Sequence, residues 1–351
     1  MLCRPRAVFQ GLFSVPQGGT LFLVTAKAAP SLLIHLIFID QEGTPMSKKL
    51  LALLLSVLTA AFATTALAGD AAVALTDMHG REIALSQPAT RIVALTPSDC
   101  EILCALGAED ALVGRGAYCD YPESILDLPV VQSGADTNVE EILALNPQVV
   151  LMSDMSQTVE QVQALEAAGV KVAVSDANDI AGVYTAIRMI GALMAKDAEA
   201  EALIGDMQAC FDEIAAKSEN TGKTVYFEVS PLQYGLWTAG KNTFMDELAA
   251  MCGLTNAFAD VDGWAQISEE QVLERNPDYI VTITMYFGEG PTPVEEIMGR
   301  AGWETLKAVE NANVFNADSN AISRPGPRLK DAAVELYSFV HGIASEEAPA
   351  A

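Results

Sequence analysis

The chain of 351 residues carries 46 acidic against 20 basic side chains, a net charge of −26 at neutral pH. An acidic excess of this size excludes nucleic acid and anionic membrane surfaces as partners. Six cysteines without a Cys-x-x-Cys pair, beside three histidines, exclude a disulfide framework and a zinc-type cluster.

Residues 1–45 show no helical or strand periodicity and precede a complete export signal. Met46-Ser-Lys-Lys leads into an uncharged run, 50–68, that ends Ala66-Leu67-Ala68. A basic n-region, an apolar h-region and a small-x-small cleavage site predict a secretory signal peptide over 46–68, cut after Ala68. A membrane-spanning helix is the alternative, disfavoured by the Ala/Thr-rich end. Met46 then reads as the true start and 1–45 as a non-native leader, in which Gln41-Glu42-Gly43 is encodable as a ribosome-binding sequence. No cysteine stands near the cleavage site for lipid attachment, so a soluble product is expected. Five basic and two acidic residues precede Gly69, leaving 15 against 44 beyond it, a net −29.

From Gly69 the pattern predicts an α/β lobe over 69–195. Two alternating strands around His79-Gly80 give a hairpin signal. Strands are then predicted over Arg91–Leu95, Ala111–Gly114, Val149–Met152 and Val170–Val174. Helices over Pro97–Leu106, after Asn138 and over Thr158–Ala168 alternate with them, which argues for a parallel sheet covered on both faces. Cys100 and Cys104, at i, i+4 of the first helix, read as small buried apolar groups. From Ile180 the helical pattern dominates. Asp197–Lys217 carries Leu203, Met207, Cys210, Phe211 and Ile214 along one stripe. At 1.5 Å per residue such a helix is roughly 30 Å long, enough to join two lobes, so 196–218 is assigned as a connecting helix. One stiff helix permits only small lobe movements. A second lobe, 222–345, opens with a strand over Thr224–Val229 and closes with a helix over Pro327–His341.

The two lobes repeat each other. Asn138-Val-Glu-Glu-Ile-Leu-Ala-Leu-Asn-Pro reappears, 130 residues on, as Ser268-Glu-Glu-Gln-Val-Leu-Glu-Arg-Asn-Pro. Each copy reads as a short helix opened by a capping box, Asn138 with Glu141 and Ser268 with Gln271, and broken at Asn-Pro before a strand. A second pair, Glu101–Gly107 and Glu247–Gly253, recurs at an offset of 146. Duplicated α/β units imply a cleft between them, the usual place for a ligand.

Thr76-Asp-x-x-Gly80-Arg81, Arg91-Ile-Val-Ala-Leu, Tyr118-Cys-Asp-Tyr-Pro122, the two Asn-Pro units and Arg324-Pro-Gly-Pro-Arg328 form a collinear series over about 72–342. Together they resemble the helical-backbone class of periplasmic substrate-binding proteins that serve ABC importers for cobalamin and ferric siderophores. The resemblance implies two Rossmann-like lobes with parallel sheets joined by one long α-helix. It also implies a periplasmic monomer without catalytic residues or a resident cofactor or metal. Its partners would be cobalamin or a ferric siderophore, and an ABC permease dimer in the inner membrane.

The resemblance assigns Glu140 and Glu270, one per lobe, to docking on the permease. A carboxylate near a helix N-terminus also favours the helix dipole, the plainer reading. Tyr118, after the Gly114-Arg115-Gly116 turn, Trp264 and Arg324 match cleft positions that touch ligand. Arg115, Trp237 and Tyr286 complete the expected ligand-binding set, with Met285 and Phe287 beside Tyr286 as further wall. Aromatic faces suit a macrocycle, and arginine suits amide oxygens, carboxylates or catecholates. The chain departs from the cobalamin pattern where Gly134-Ala135 replaces an aromatic, and where Asn320 and Ala321 replace an aspartate and a tryptophan. Haem and oxyanion binding therefore stay open beside a corrinoid or siderophore. A secreted α/β enzyme is the competing class, but no G-x-G-x-x-G follows Leu95, and no P-loop, G-x-S-x-G elbow or catalytic histidine constellation is present.

Overall fold

A computed structural model describes residues 72–154 and 157–343, and the leader and signal peptide expected over 1–68 lie outside these described residues. The chain opens with a hairpin of β1 (Val73–Thr76) and β2 (Glu82–Leu85). Gly80 turns it at φ +79°, a region that glycine enters without a steric penalty. The buried Asp77 carboxylate accepts from the backbone N–H of Arg81 at 2.8 Å and of Val174 at 3.0 Å, which pins the hairpin to the first lobe.

That lobe runs β3 (Ile92–Ala94), α1 (Pro97–Ala105), β4 (Leu112–Gly116), β5 (Val130–Val131), α2 (Val139–Ala144), β6 (Val149–Met152), α3 (Val159–Ala167) and β7 (Lys171–Val174). The strands form one parallel sheet in the order β5-β4-β3-β6-β7. Side chains alternate across it as the period of two requires. Ile92, Ala94, Val149 and Leu151 pack on one face with Ile102 and Leu103 of α1. Val93, Val150 and Met152 pack on the other with Ile142 of α2 and Leu165 of α3.

Two helices follow, α4 (Ile180–Met194) and α5 (Asp197–Lys217). A Cβ on Gly191 would stand 2.7 Å from the Ala200 Cβ, so only glycine lets these helices approach as they do. Ala200, Ile204, Met207, Phe211 and Ile214 form the buried stripe of α5. Leu203, expected on that stripe, is only half-buried.

The second lobe contains β8 (Lys223–Glu228), β9 (Trp237–Ala239), α6 (Phe244–Met251), β10 (Leu254–Asn256), β11 (Trp264–Gln266), α7 (Glu269–Arg275) and β12 (Tyr279–Thr282). It continues through α8 (Pro293–Met298), α9 (Lys307–Glu310), β13 (Val314–Asn316), α10 (Ser319–Ser323) and α11 (Leu329–His341). Its parallel sheet has the order β10-β8-β12-β13, while β9 and β11 form a separate antiparallel ribbon. Tyr226, Ile280 and Val314 pack with Val272, Ile297 and Trp303 on the outer face. Val225, Phe227 and Val281 join α6 and α11 in the same core that holds α1, α4 and α5. The lobes are thus joined by a continuous apolar core as well as by a helix.

The repeated helices α2 and α7 each end on an asparagine in the left-handed region, Asn146 at φ +50° and Asn276 at φ +46°. Ser268 and Gln271 form a complete capping box at α7. At α2 the box is half made. Asn138 accepts from the N–H of Glu140 and Glu141, but Glu141 Oε2 instead accepts from Gln132 N at 3.4 Å. The five described cysteines are free thiols, with Cys100 buried and Cys104 only half-buried. Among the described residues no helix is long and apolar enough to cross a membrane.

Candidate functional site

Between the lobes lies a cavity of about 660 Å³, within the usual range for small-molecule sites. The first lobe contributes the segments that follow its strands: Thr96 to Ser98 after β3, Tyr118 after β4, Ser153 and Asp154 after β6, and Ser175 to Asn178 after β7. The second contributes Phe244 and Met245 at the start of α6, Trp264 of β11, Ile283 and Met285 after β12, and Asn320, Ser323, Arg324 and Pro325 around the end of α10. Sites of open parallel sheets gather at strand carboxyl ends because the connecting loops converge there. The two walls differ in chemistry. Hydroxyls, carboxylates and an amide line the first, while aromatic and thioether groups dominate the second.

Trp264 is held by the ribbon, where it pairs with Ala239, and its ring lies tilted at 57° on Phe244 with centroids 5.3 Å apart. Tyr118 is 75% exposed, its ring standing free at the cavity. The turn that precedes Tyr118 is tight. A Cβ on Gly116 would fall 2.4 Å from the Leu95 carbonyl oxygen.

Arg324 lines the cavity but is already engaged. Its Nη1 donates to Glu101 Oε1 at 3.0 Å and to Asp120 Oδ1 at 2.7 Å, and its Nη2 donates to the Tyr118 carbonyl at 3.2 Å. Arg328 donates to both oxygens of the same glutamate at 3.0 and 2.7 Å. Glu101, 3% exposed, therefore ties the segment after α10 to α1 across the lobes. Burial pushes the Asp120 carboxyl up, yet the Arg324 hydrogen bond and charge outweigh it and leave it below the usual carboxylate range.

The other expected ligand residues fall elsewhere. Arg115 is buried and donates to the carbonyls of Ile125, Cys119 and Leu126 at 3.1, 2.8 and 2.9 Å, so it clamps the loop behind Tyr118 and does not line the cavity. Trp237 pairs with Gln266 on the ribbon, on the same face as Trp264 but beyond the cavity edge. Tyr286 donates from its hydroxyl to the Gly290 carbonyl at 3.2 Å, while its neighbour Met285 takes the place in the wall. Phe244, Met245 and the Ser/Asp segments of the first lobe were missing from the expected set. Each follows a predicted strand or opens a helix, which is the signal that marks them.

Folding also unites three groups that no sequence spacing connects. His79 Nε2 lies 3.5 Å from Asp176 Oδ2 and 3.9 Å from Asp154 Oδ2. Their ligand atoms all lie within 4.8 Å of one another, the one such trio among the described residues. It offers nitrogen and oxygen donors suited to a divalent ion, where separate stretches of sequence suggested no metal cluster.

Beneath Ser98 the fully buried Asp99 accepts from Ser175 Oγ at 2.5 Å and from the Thr96 hydroxyl. Burial pushes its carboxyl up to about 6 against these hydrogen bonds. The folded state then holds a proton that the unfolded chain releases near pH 4, so stability falls as pH rises from about 4 to about 6. The loss is on the order of 2–3 kcal/mol. Asp99→Asn should flatten this part of the profile in urea titrations at pH 4 to 7. An unchanged slope would show that Asp99 does not titrate there.

A family model described as periplasmic binding protein matches residues 92–321. An uncharacterized ABC transporter substrate-binding lipoprotein of Bacillus subtilis (strain 168) is 33% identical over 276 residues, spanning 77% of this chain and 85% of that protein. The vitamin B12-binding protein of Yersinia pestis (strain Pestoides F) is 33% identical over 204 residues, 56% of this chain and 70% of that one. The crystal structure of the periplasmic vitamin B12-binding protein BtuF of Vibrio cholerae superposes with a TM-score of 0.61 at 25% identity, covering 72% of this chain and 97% of that chain. With two parallel-sheet lobes, a helical connection and a cavity between them, the chain belongs to the periplasmic binding protein family.

Proposed function

We propose that this chain is the substrate-binding component of an ABC importer, which captures an iron complex or a corrinoid between its lobes and hands it to a membrane permease. The observation that carries this reading is the cavity itself, enclosed by both lobes and walled by Trp264, Phe244 and Tyr118. Relatives that are substrate-binding and vitamin B12-binding proteins support it. The protein acts without catalysis, as a soluble periplasmic monomer released by cleavage after Ala68. Tyr118 and Trp264 are its ligand-contacting aromatics, and Arg324 holds the wall between them. Titration of the purified protein with cyanocobalamin, ferric siderophores and haem, read by tryptophan fluorescence, tests the reading. Saturable one-to-one binding of at least one of them is expected, and no binding across the panel sinks it.

Docking is assigned to Glu140 and Glu270. Both are exposed, each sits in the first turn of a repeated helix, and each lobe presents one. Glu270 is held below the usual carboxylate range by the Ser268 hydroxyl and its own N–H, which keeps it charged. Rim charges govern approach and register more than tight contact, so Glu140→Ala with Glu270→Ala should cut uptake about tenfold. Ligand affinity and thermal stability should stay near wild type. Wild-type uptake by the double variant would leave both residues as helix-end charges alone.

A further inference from the structure

Among the described residues the cavity lining holds one cationic side chain, Arg324, and two anionic ones, Asp154 and Asp176. Arg324 and Arg328 face Glu101 and Asp120 in one network, two positive charges against two negative, so the guanidinium brings no net charge to the site. Three of the five N–H groups of Arg324 are engaged in that network. The remaining two offer hydrogen bonds to a neutral acceptor, such as an amide carbonyl.

The carboxylates of Asp154 and Asp176 have no such balance. His79 is their cationic candidate, and even a protonated imidazole leaves the trio with a surplus negative charge. Asp99 stands behind them, bonded to Ser175. The whole chain, at −26, adds a field of the same sign. An anionic ligand entering here would lose its hydration and meet carboxylates, with no unpaired cation in the lining among the described residues to offset them.

From this we infer that the cavity selects by charge: it accepts neutral or cationic ligands and rejects polyanionic ones such as tris-catecholate iron complexes and haem with its propionates. The inference rests on the proposed substrate-binding role and divides the ligands that role allows. Arg324, which the family resemblance places in the cleft as a partner for amide oxygens, carboxylates or catecholates, acts here as a neutralised strut whose remaining donors suit amide oxygens.

The test compares ligands unlike in charge. Cyanocobalamin and a neutral ferric trihydroxamate are titrated beside a ferric trihydroxamate carrying a free amine, a ferric tris-catecholate and haem. The tightest neutral or cationic probe should bind at least about 100-fold more tightly than either anionic one. Asp154→Asn combined with Asp176→Asn should narrow that gap by about tenfold or more, since the repulsion is removed while the aromatic wall stays. Tighter binding of an anionic probe, or an unchanged ratio in the double variant, overturns the charge selection and leaves the substrate-binding role standing. Failure of every probe to bind overturns both.

Discussion

Glu101→Ala is expected to lower the unfolding free energy by about 3–5 kcal/mol, the cost of leaving buried charges unpaired. Glu101 is enclosed and holds two arginines at once, Arg324 and Arg328, both at 3.0 Å or less. Arg324 would keep Asp120, but that side chain is half exposed and cannot replace a carboxylate in the interior. Arg328 would keep the Tyr121 ring, 4.2 Å from its guanidinium carbon, a weaker partner than a bidentate carboxylate. Glu101→Gln retains the shape and an acceptor oxygen, so its loss should be smaller, about 1–3 kcal/mol. Urea unfolding of the three proteins measures the series. A useful control is the other enclosed pair, in which Arg300 donates to both oxygens of Glu228 at 2.8 and 3.1 Å. Glu228→Ala should cost a similar amount of stability, yet Glu228 is absent from the cavity lining, so ligand affinity should survive. Only the Glu101 substitutions should damage binding in the protein that remains folded. A loss below about 1 kcal/mol for Glu101→Ala would mean that water reaches the network, as it does in exposed ion pairs.

The contrast between Glu101 and Arg324 shows where sequence reasoning reaches its limit. Elements governed by local pattern were legible. The apolar run Val149–Met152 is β6 and the striped segment Asp197–Lys217 is α5, because burial on both faces and a one-sided stripe leave direct marks in composition. Ser268 with Gln271 is a cap at the expected place for the same reason. The strands Trp237–Ala239 and Trp264–Gln266 were not legible. Each is three residues long and exists by pairing with the other, so no window of sequence contains the cause. The site followed the same division. Tyr118 and Trp264 line the cavity. The role of Arg324 is decided by Glu101 and Asp120, 223 and 204 residues away, and Arg115 is claimed by three carbonyls of its own loop. His79, Asp154 and Asp176 meet because a hairpin and two strand ends converge. Charge pairing across lobes is a property of the fold, and a linear motif cannot report it.

Trp264→Ala should weaken ligand binding by about 2–4 kcal/mol, roughly 30- to 1,000-fold in Kd, as truncation of a central aromatic anchor does. Trp264 is 36% exposed, and the contact of its ring with Phe244 fixes its tilt at the cavity. A rigid, partly desolvated indole loses little entropy on binding, so most of its apolar contact is retained as affinity. Stability should suffer much less than affinity, because the ring lies at the surface of the ribbon and not in either lobe core. Trp264→Phe keeps a flat face and should recover most of the loss. The assay carries its own check in the three tryptophans of the chain. Trp303 is fully buried beneath Arg300 and Trp237 lies beyond the cavity edge, so ligand quenching should come chiefly from Trp264. Trp264→Phe should therefore bind well while losing most of the fluorescence change, with calorimetry supplying its Kd. If Trp264→Ala binds within about threefold of wild type, the ring is not an anchor. The ligand would then rest on other apolar side chains of the lining, among them Tyr118, Phe244, Met245, Ile283 and Met285.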